Sequence, residues 1–312
     1  MNKIKIAVIG VGSLGQHHAR ILSTLEKAEL VGVVDSNSKR GEEIAKKYNT
    51  INFTDVKEII GKIQAAVISV PTPYHYDIAK MLLNESINCL VEKPFTETVE
   101  QATELIRIAR DKNLILQVGH VERFNPAIIA AYPYIKEPKF IEVNRLGPYD
   151  PRTNHIGVVM DLMIHDLDML LNLVKSKVIS FEAHGAKILS AHEDIVKVRI
   201  KFANGCIADV STSRVTIDKY RKIRIFQKDS YISVDYAGKS LKIYKRKDGI
   251  DVVKSLLDID VIKPKVQTGE PLSYELTHFL NCIIEGKKPL VSGEQGRDAL
   301  ELAHDILHYM QF

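Results

Sequence analysis

The sequence predicts an α/β domain with a doubly wound parallel sheet, followed by an α+β domain whose sheet is mostly antiparallel and open. Three observations predict it. Short apolar runs alternate with helix-period patterns over the first 120 residues. A glycine-rich turn follows the first run, and from residue 178 strand-like runs succeed one another without helices. Continuous apolar strands separated by helices belong to parallel sheets covered on both faces, whereas consecutive strands pair antiparallel. The length of 312 residues agrees, at roughly 150 residues per domain.

The elements follow in order. Residues 4–9 form a β-rich run that stops at Gly10, and a helical pattern covers 13–24. Strands at 29–35, 51–53, 65–70, 89–91 and 114–118 alternate with helical patterns at 38–48, 56–60, 75–83 and 99–111. The rhythm then changes, which sets the domains at residues 1–120 and 121–312. A long apolar helix is predicted over 155–174. Strands follow at 178–186, 195–202, 206–215, 220–226, 231–236 and 241–244, two of them joined by the hairpin signal Ala203-Asn204-Gly205. Helices at 272–285 and 294–309 close the chain.

Composition removes several classes of function. Hydrophobic residues at 45% and charged residues at 26% are globular values. Lys+Arg 43 against Asp+Glu 39 leaves +4, too balanced for a nucleic-acid binder. Cys89, Cys206 and Cys282 are far apart and odd in number, which excludes a disulfide scaffold and fits a reducing compartment. No apolar stretch is long enough to span a membrane and no cleavage site follows the first apolar run, so the expectation is a cytoplasmic protein. His304 and His308 stand one helical turn apart without a third ligand, so no metal site is expected. Neither G-x-S-x-G nor a P-loop occurs.

Gly10-Val11-Gly12-Ser13-Leu14-Gly15 fits G-x-G-x-x-G directly after a strand and at the opening of a helix. Gly10 permits the tight turn, Gly12 lets a pyrophosphate approach the backbone, and Gly15 lets helix and strand touch. Unpaired N–H groups at the helix start face the phosphates. Asp35, at the end of the second strand, can accept both ribose hydroxyls of NAD and would repel a 2′-phosphate. Ser36, Lys39 and Arg40 follow it and can bind a phosphate, so NADP stays open beside NAD. Glycines also make ordinary tight turns. The sequence of strand, turn, helix, strand and acid is what points to a Rossmann dinucleotide site.

The helix over 155–174 is apolar almost all round, yet Asp161, His165, Asp168 and Asn172 recur on one side. Burying such groups unpaired costs about 1–3 kcal/mol each when neutral and more when charged. The stripe therefore faces water, a polar network or a ligand. Asp161 one turn before His165 can set the imidazole tautomer and raise its basicity for proton transfer. Glu92-Lys93-Pro94 closes an inferred strand, where Lys93 can reach a cofactor-proximal site. A satisfied polar network and a surface lysine are the bland alternatives.

Together these segments resemble the glucose–fructose oxidoreductase / inositol dehydrogenase / MocA family over essentially the whole chain. The resemblance is carried by AVIGVGSLGQHHARI, ISVPTPYHYDIA, VEKPFTETVEQA and GVVMDLMIHDLDML, with Glu92-Lys93-Pro94 and Asp161-x-x-x-His165 the most specific parts. GHVERFNPA and RLGPYDPRTNHIGVVMDLMIHDLD look like its UDP-N-acetylglucosamine 3-dehydrogenase-like members. The resemblance implies Lys93, Asp161 and His165 as the catalytic group. It places Ser69, Val70, Pro71, Thr72 and His75 along the nicotinamide ribose, although Thr72-Pro73-Tyr74-His75 is shorter than the family's frequent Thr-Pro-x-x-x-His. Arg123, Asn125 and Arg152 become candidates for substrate or nicotinamide contacts and Tyr149 for a substrate contact, with Arg145 and Arg152 suited to a diphosphate. It also implies a small-molecule substrate, a nucleotide sugar by the closer likeness, and homodimers or homotetramers formed through the open sheet face. A free-sugar or inositol dehydrogenase remains an alternative, as does an NAD-binding regulatory protein without turnover.

Overall fold

The structure, a computed structural model, describes residues 3–311, with the side chain of Arg152 outside the description. The chain divides into two units: Met1–Val121 with Glu270–Leu300, and Glu122–Gly269 with Glu301–Phe312.

In the first unit β1 (Ile4–Ile9), β2 (Ala28–Val34), β3 (Ile51–Phe53), β4 (Ala65–Ile68), β5 (Asn88–Glu92) and β6 (Leu116–Gly119) form a parallel sheet. Its order is β3-β2-β1-β4-β5-β6. β1 and β4 lie side by side where the order reverses, which opens a crevice beyond their carboxyl ends. The connecting helices are α1 (Gly15–Leu22), α2 (Ser38–Lys47), α3 (His75–Asn84) and α4 (Val99–Asp111). β4 is buried throughout and β1 everywhere except Lys5, as strands covered on both faces must be. α4 starts sharply because Thr98 and Gln101 cap each other's backbone.

The expected division at residue 120 needs one correction. α7 (Pro271–Glu285) buries Leu272, Leu276, Phe279 and Leu280 in one core with Ile6, Val8, Val67 and Leu90. Full burial of such side chains contributes roughly 1.5–3 kcal/mol each. Val118 N–H donates to Val291 O at 3.1 Å, so the 270–300 segment also lines the β6 edge. The sequence displays the apolar stripe of α7 but not which sheet receives it.

The second unit holds α5 (Pro126–Ala131), β7 (Phe140–Leu146), a π-helical turn (Val159–Met163) that runs into α6 (Ile164–Val174), and seven further strands. These are β8 (Val178–Ala186), β9 (Ile195–Phe202), β10 (Ile207–Ser213), β11 (Tyr220–Phe226), β12 (Ser230–Asp235), β13 (Ser240–Arg246) and β14 (Ile259–Ile262). The sheet order is β14-β13-β12-β11-β7-β10-β9-β8. Its pairs are antiparallel except β7 with β10. Burial alternates along β7 and β9, so one face packs inward and the other stays open. α8 (Gly293–Met310) begins in the first unit and ends in the second.

Among the described strands and α-helices three were not anticipated: α5, β7 and β14. β7 is central in the sheet, but its inward positions are Ile141, Val143 and Arg145, and the cation breaks the apolar alternation. The helix expected over 155–174 begins later, because Val158 N–H donates to Glu193 O and Val159 N–H to Glu193 Oε1. A carboxylate from the β8–β9 connection thus caps the first turn, and a Cβ on Gly157 would meet Glu193 Oε1 at 1.9 Å. Among the described residues no helix is long and apolar enough to cross a membrane. The three cysteines are buried and unpaired.

Candidate functional site

The first unit carries a cavity of about 500 Å³ at the carboxyl ends of β1, β2 and β4. Gly10, Gly12, Asp35, Ser36, Ser69, Val70 and Pro71 line it, all foreseen from sequence. Ile9, Val34, Thr54, Val56, Tyr74 and Ile78 complete it and were not foreseen. Gly10 takes φ +80°, and a Cβ there would sit 2.7 Å from Ser69 O. At Gly15 a Cβ would lie 1.8 Å from Gly10 O, so only glycine lets α1 begin against the turn. At Gly12 a Cβ would meet nothing within 4 Å, leaving the open approach a pyrophosphate requires. Ser13 and Leu14 are exposed at the entry to α1.

Asp35 binds the turn from the side. Its Oδ2 accepts from Val11 N–H and its Oδ1 from Asn37 N–H, each at 2.9 Å. Each oxygen keeps a further lone pair, and the half-buried carboxylate borders the cavity, so it suits ribose hydroxyls. Arg40 is engaged elsewhere: Nε donates to Val11 O at 3.0 Å and its guanidinium pairs with Glu43 at 2.9 Å. Of the groups that left NADP open, this one supports the glycine turn. Thr72 opens the short helix Thr72–Tyr74 and does not line the cavity.

His75 is buried, not a cavity wall. Its Nδ1 lies 2.9 Å from Pro94 O and its Nε2 2.9 Å from Val70 O, tying the end of β4 to the segment after β5. Burial holds its pKa below the usual histidine range. Glu92 is also buried, with Oε1 2.7 Å from His18 Nε2, and Lys93 follows half-buried at the strand end before a cis Pro94.

In the second unit Asp161 lies in the π-helical turn and His165 in the first turn of α6, both half-buried. Ile164 N–H reaches back five residues to Val159 O, which widens the helix there. Such insertions cluster at functional positions. Asp161 and Leu162 border a cavity of about 340 Å³ with Tyr149, Ser213, Arg214, Lys219 and Arg221.

The polar stripe divides. Asp168 accepts Arg123 Nε and a second guanidinium nitrogen at 2.6 and 3.0 Å, and Asn172 donates to Tyr132 Oη at 2.8 Å. Those two members form the bland polar network. Arg123 is 1% exposed in a closed fork with Asp168, and Asn125 caps α5 by accepting from Ala127 N–H at 3.1 Å. Both expected substrate contacts are therefore interior structural groups. Arg145 is likewise held by Asp166 at 2.7 and 2.8 Å and by Glu122 at 3.1 Å. Burial disfavours its charge, but Asp166 and Glu122 outweigh burial and raise its pKa above the usual arginine range. It is a cavity wall whose charge is already matched. Tyr149 borders the cavity as expected, and Arg152 lies in the short helix Pro151–Thr153, its side chain outside the described residues.

Arg214 was not foreseen. It pairs with Asp194 at 2.7 Å and donates to Thr153 O at 2.7 Å and Ile156 O at 2.6 Å. Its guanidinium also lies 5.6 Å from the centre of the Tyr149 ring, so it fixes both ends of the 149–156 loop. Although burial opposes it, Asp194 is held well below the usual carboxylate range by Leu189 N–H, Arg214 and Ile188 N–H. Lys219 and Arg221 were also missed. The available signal was that Arg221 shares a period-two face with the buried Ile223 and Ile225.

A glycine turn at the reversal of a parallel sheet, joined to an open antiparallel sheet, defines a dinucleotide-binding oxidoreductase architecture. Residues 4–120 match the oxidoreductase family with the NAD-binding Rossmann fold, and residues 139–233 match the GFO/IDH/MocA C-terminal domain. The chain is 33% identical over 311 residues to UDP-N-acetylglucosamine 3-dehydrogenase of Acidithiobacillus ferrooxidans, covering 98% of this chain and 97% of that one. A solved structure of that enzyme superposes with a TM-score of 0.93 at 32% identity, covering 100% and 99% of the two chains. The scyllo-inositol 2-dehydrogenase (NAD(+)) of Bacillus subtilis is 26% identical over 93% of this chain and 89% of its own. This chain belongs to the GFO/IDH/MocA family of NAD-binding oxidoreductases, and it is a dehydrogenase.

Proposed function

We propose that the chain oxidises the 3-hydroxyl of UDP-N-acetylglucosamine, or of a close UDP-N-acetyl-hexosamine, to the ketone with NAD. The observation that carries the reading is the 33% identity, end to end, with an enzyme of that activity. NAD, when bound, supplies the hydride acceptor at nicotinamide C4. His165 takes the hydroxyl proton as the hydride leaves the same carbon, and Asp161 holds the imidazole ready for it. Lys93 donates a hydrogen bond to that oxygen and favours its developing negative charge. Glycines 10, 12 and 15 and Asp35 hold the dinucleotide, while Tyr149 and Arg152 contact the nucleotide-sugar. The reading includes a cytoplasmic location and homodimers or homotetramers joined through the open face of the eight-stranded sheet.

The test is NADH formation by the purified protein with UDP-N-acetylglucosamine, free N-acetylglucosamine and myo-inositol in parallel. The expected result is turnover with the UDP-sugar alone. Turnover of inositol or the free sugar, with none of the UDP-sugar, would keep the family chemistry and overturn the substrate. His165→Asn should lower turnover by roughly 10²–10⁴-fold while NAD affinity holds. Near-normal turnover in a folded variant would return His165 to the structural network.

A further inference from the structure

Among the described residues four cationic side chains border the 340 Å³ cavity of the second unit: Arg145, Arg214, Lys219 and Arg221. Two are matched inside the protein, Arg145 by Asp166 and Glu122, and Arg214 by Asp194. Arg221 differs. It stands directly across from Arg145 in the β11–β7 register, so both side chains leave the same face of the sheet. Its guanidinium makes no hydrogen bond or ion pair among the described residues. Burial and the neighbouring Arg145 disfavour its charge, and Glu122, Asp166 and Asp161 favour it. Glu122 and Asp166 are already engaged with Arg145, and Asp161 acts on Arg221 without an ion pair to it.

A half-buried guanidinium beside a second one is unfavourable unless an anion arrives. The five N–H donors of arginine form a planar fork that fits phosphate oxygens two at a time. Lys219 is exposed on the same rim and adds a mobile charge, and Tyr149 borders the same space. We infer that Arg221, supported by Lys219, is the residue that grips the diphosphate of the substrate. This inference rests on the nucleotide-sugar reading above. A phosphate carried directly on a sugar would offer similar oxygens, so the two sources are separated in the test.

Calorimetric titration of the full chain with UDP, inorganic pyrophosphate and glucose 6-phosphate needs no turnover. UDP and pyrophosphate should bind the parent protein. Arg221→Met should weaken both by about tenfold or more, and Arg221→Lys should fall between. NAD affinity should not move in either variant, which shows that the protein remains folded. Lys219→Met should produce a smaller loss of the same kind. The assignment is overturned if the parent binds neither UDP nor pyrophosphate, or if Arg221→Met binds them within about twofold of the parent. It is also overturned if glucose 6-phosphate alone shows the Arg221-dependent binding. If UDP binding depends on Arg221 but UDP-sugars are not oxidised, the anion subsite stands and the substrate reading falls. If UDP-N-acetylglucosamine is oxidised and Arg221→Met leaves its KM unchanged, the reading stands and the subsite falls.

Discussion

The cavity of the first unit is shaped largely by backbone, and the cavity of the second by side chains. Around Gly10–Gly15 the decisive property is the absence of Cβ atoms, since one at Gly15 would overlap Gly10 O. Around Asp161 the decisive property is charge matched over long stretches of chain, Arg145 with Asp166 and Arg214 with Asp194. A backbone site is harmed by adding atoms. A side-chain site is harmed by taking them away.

The largest expected effect tests the second half of that contrast. Asp166→Ala leaves the buried Arg145 with Glu122 as its remaining carboxylate, and breaking a buried pair on one side costs about 3–5 kcal/mol. The unfolding midpoint in denaturant should drop accordingly; a change below about 1 kcal/mol would mean that water or Glu122 already serves Arg145.

Adding one methyl group tests the first half. Gly15→Ala should weaken NAD binding by more than about tenfold, because α1 must shift away from the turn that holds the phosphates. Unaltered affinity in fluorescence titration would show that the turn does not depend on this close contact. The loss should be local, with UDP binding preserved.

The smallest effect sharpens the comparison at a place where the first unit breaks the pattern of the second. Glu275 on α7 is fully buried, both carboxylate oxygens lack a hydrogen-bond partner among the described residues, and Glu92 is its charged neighbour. Burial first, and Glu92 second, raise its pKa well above the usual carboxylate range, so the folded state keeps the proton that the unfolded chain gives up. Stability contributed by this group is therefore present below about pH 4.3 and declines as pH rises toward the folded-state value, by about 1.4 kcal/mol per unit. Glu275→Gln should remove that slope. Its melting temperature should match the parent in mild acid and exceed it by more than about 1 kcal/mol equivalent near pH 8. Parallel pH profiles for the two proteins would mean that Glu275 is ionised in the fold.

How much was legible follows the same contrast. β1, α4, β8, β9 and β11 stand where periodicity and turn residues predict them, as does the glycine turn, because each rests on near neighbours in sequence. Asp35 was legible for that reason too, since a strand end a fixed distance after the turn is a local property. β7 was not, because its inward Arg145 is tolerable only with Asp166, 21 residues away. The split of the polar stripe was hidden as well: Asp168 and Asn172 look like Asp161 and His165 until Arg123 and Tyr132 are brought against them.

By itself, then, the sequence determined the order of strands and helices, the dinucleotide turn and the family, all consequences of short-range pattern. Tertiary structure alone decided that residues 270–300 complete the first unit, that Arg123 and Asn125 are interior braces, and that Arg221 makes no ion pair among the described residues. The physical reason is that an ionised side chain has no fixed meaning until its counter-charge is located. Covalent spacing specifies a turn, whereas pairing of buried charge is specified by which distant segments the hydrophobic core draws together.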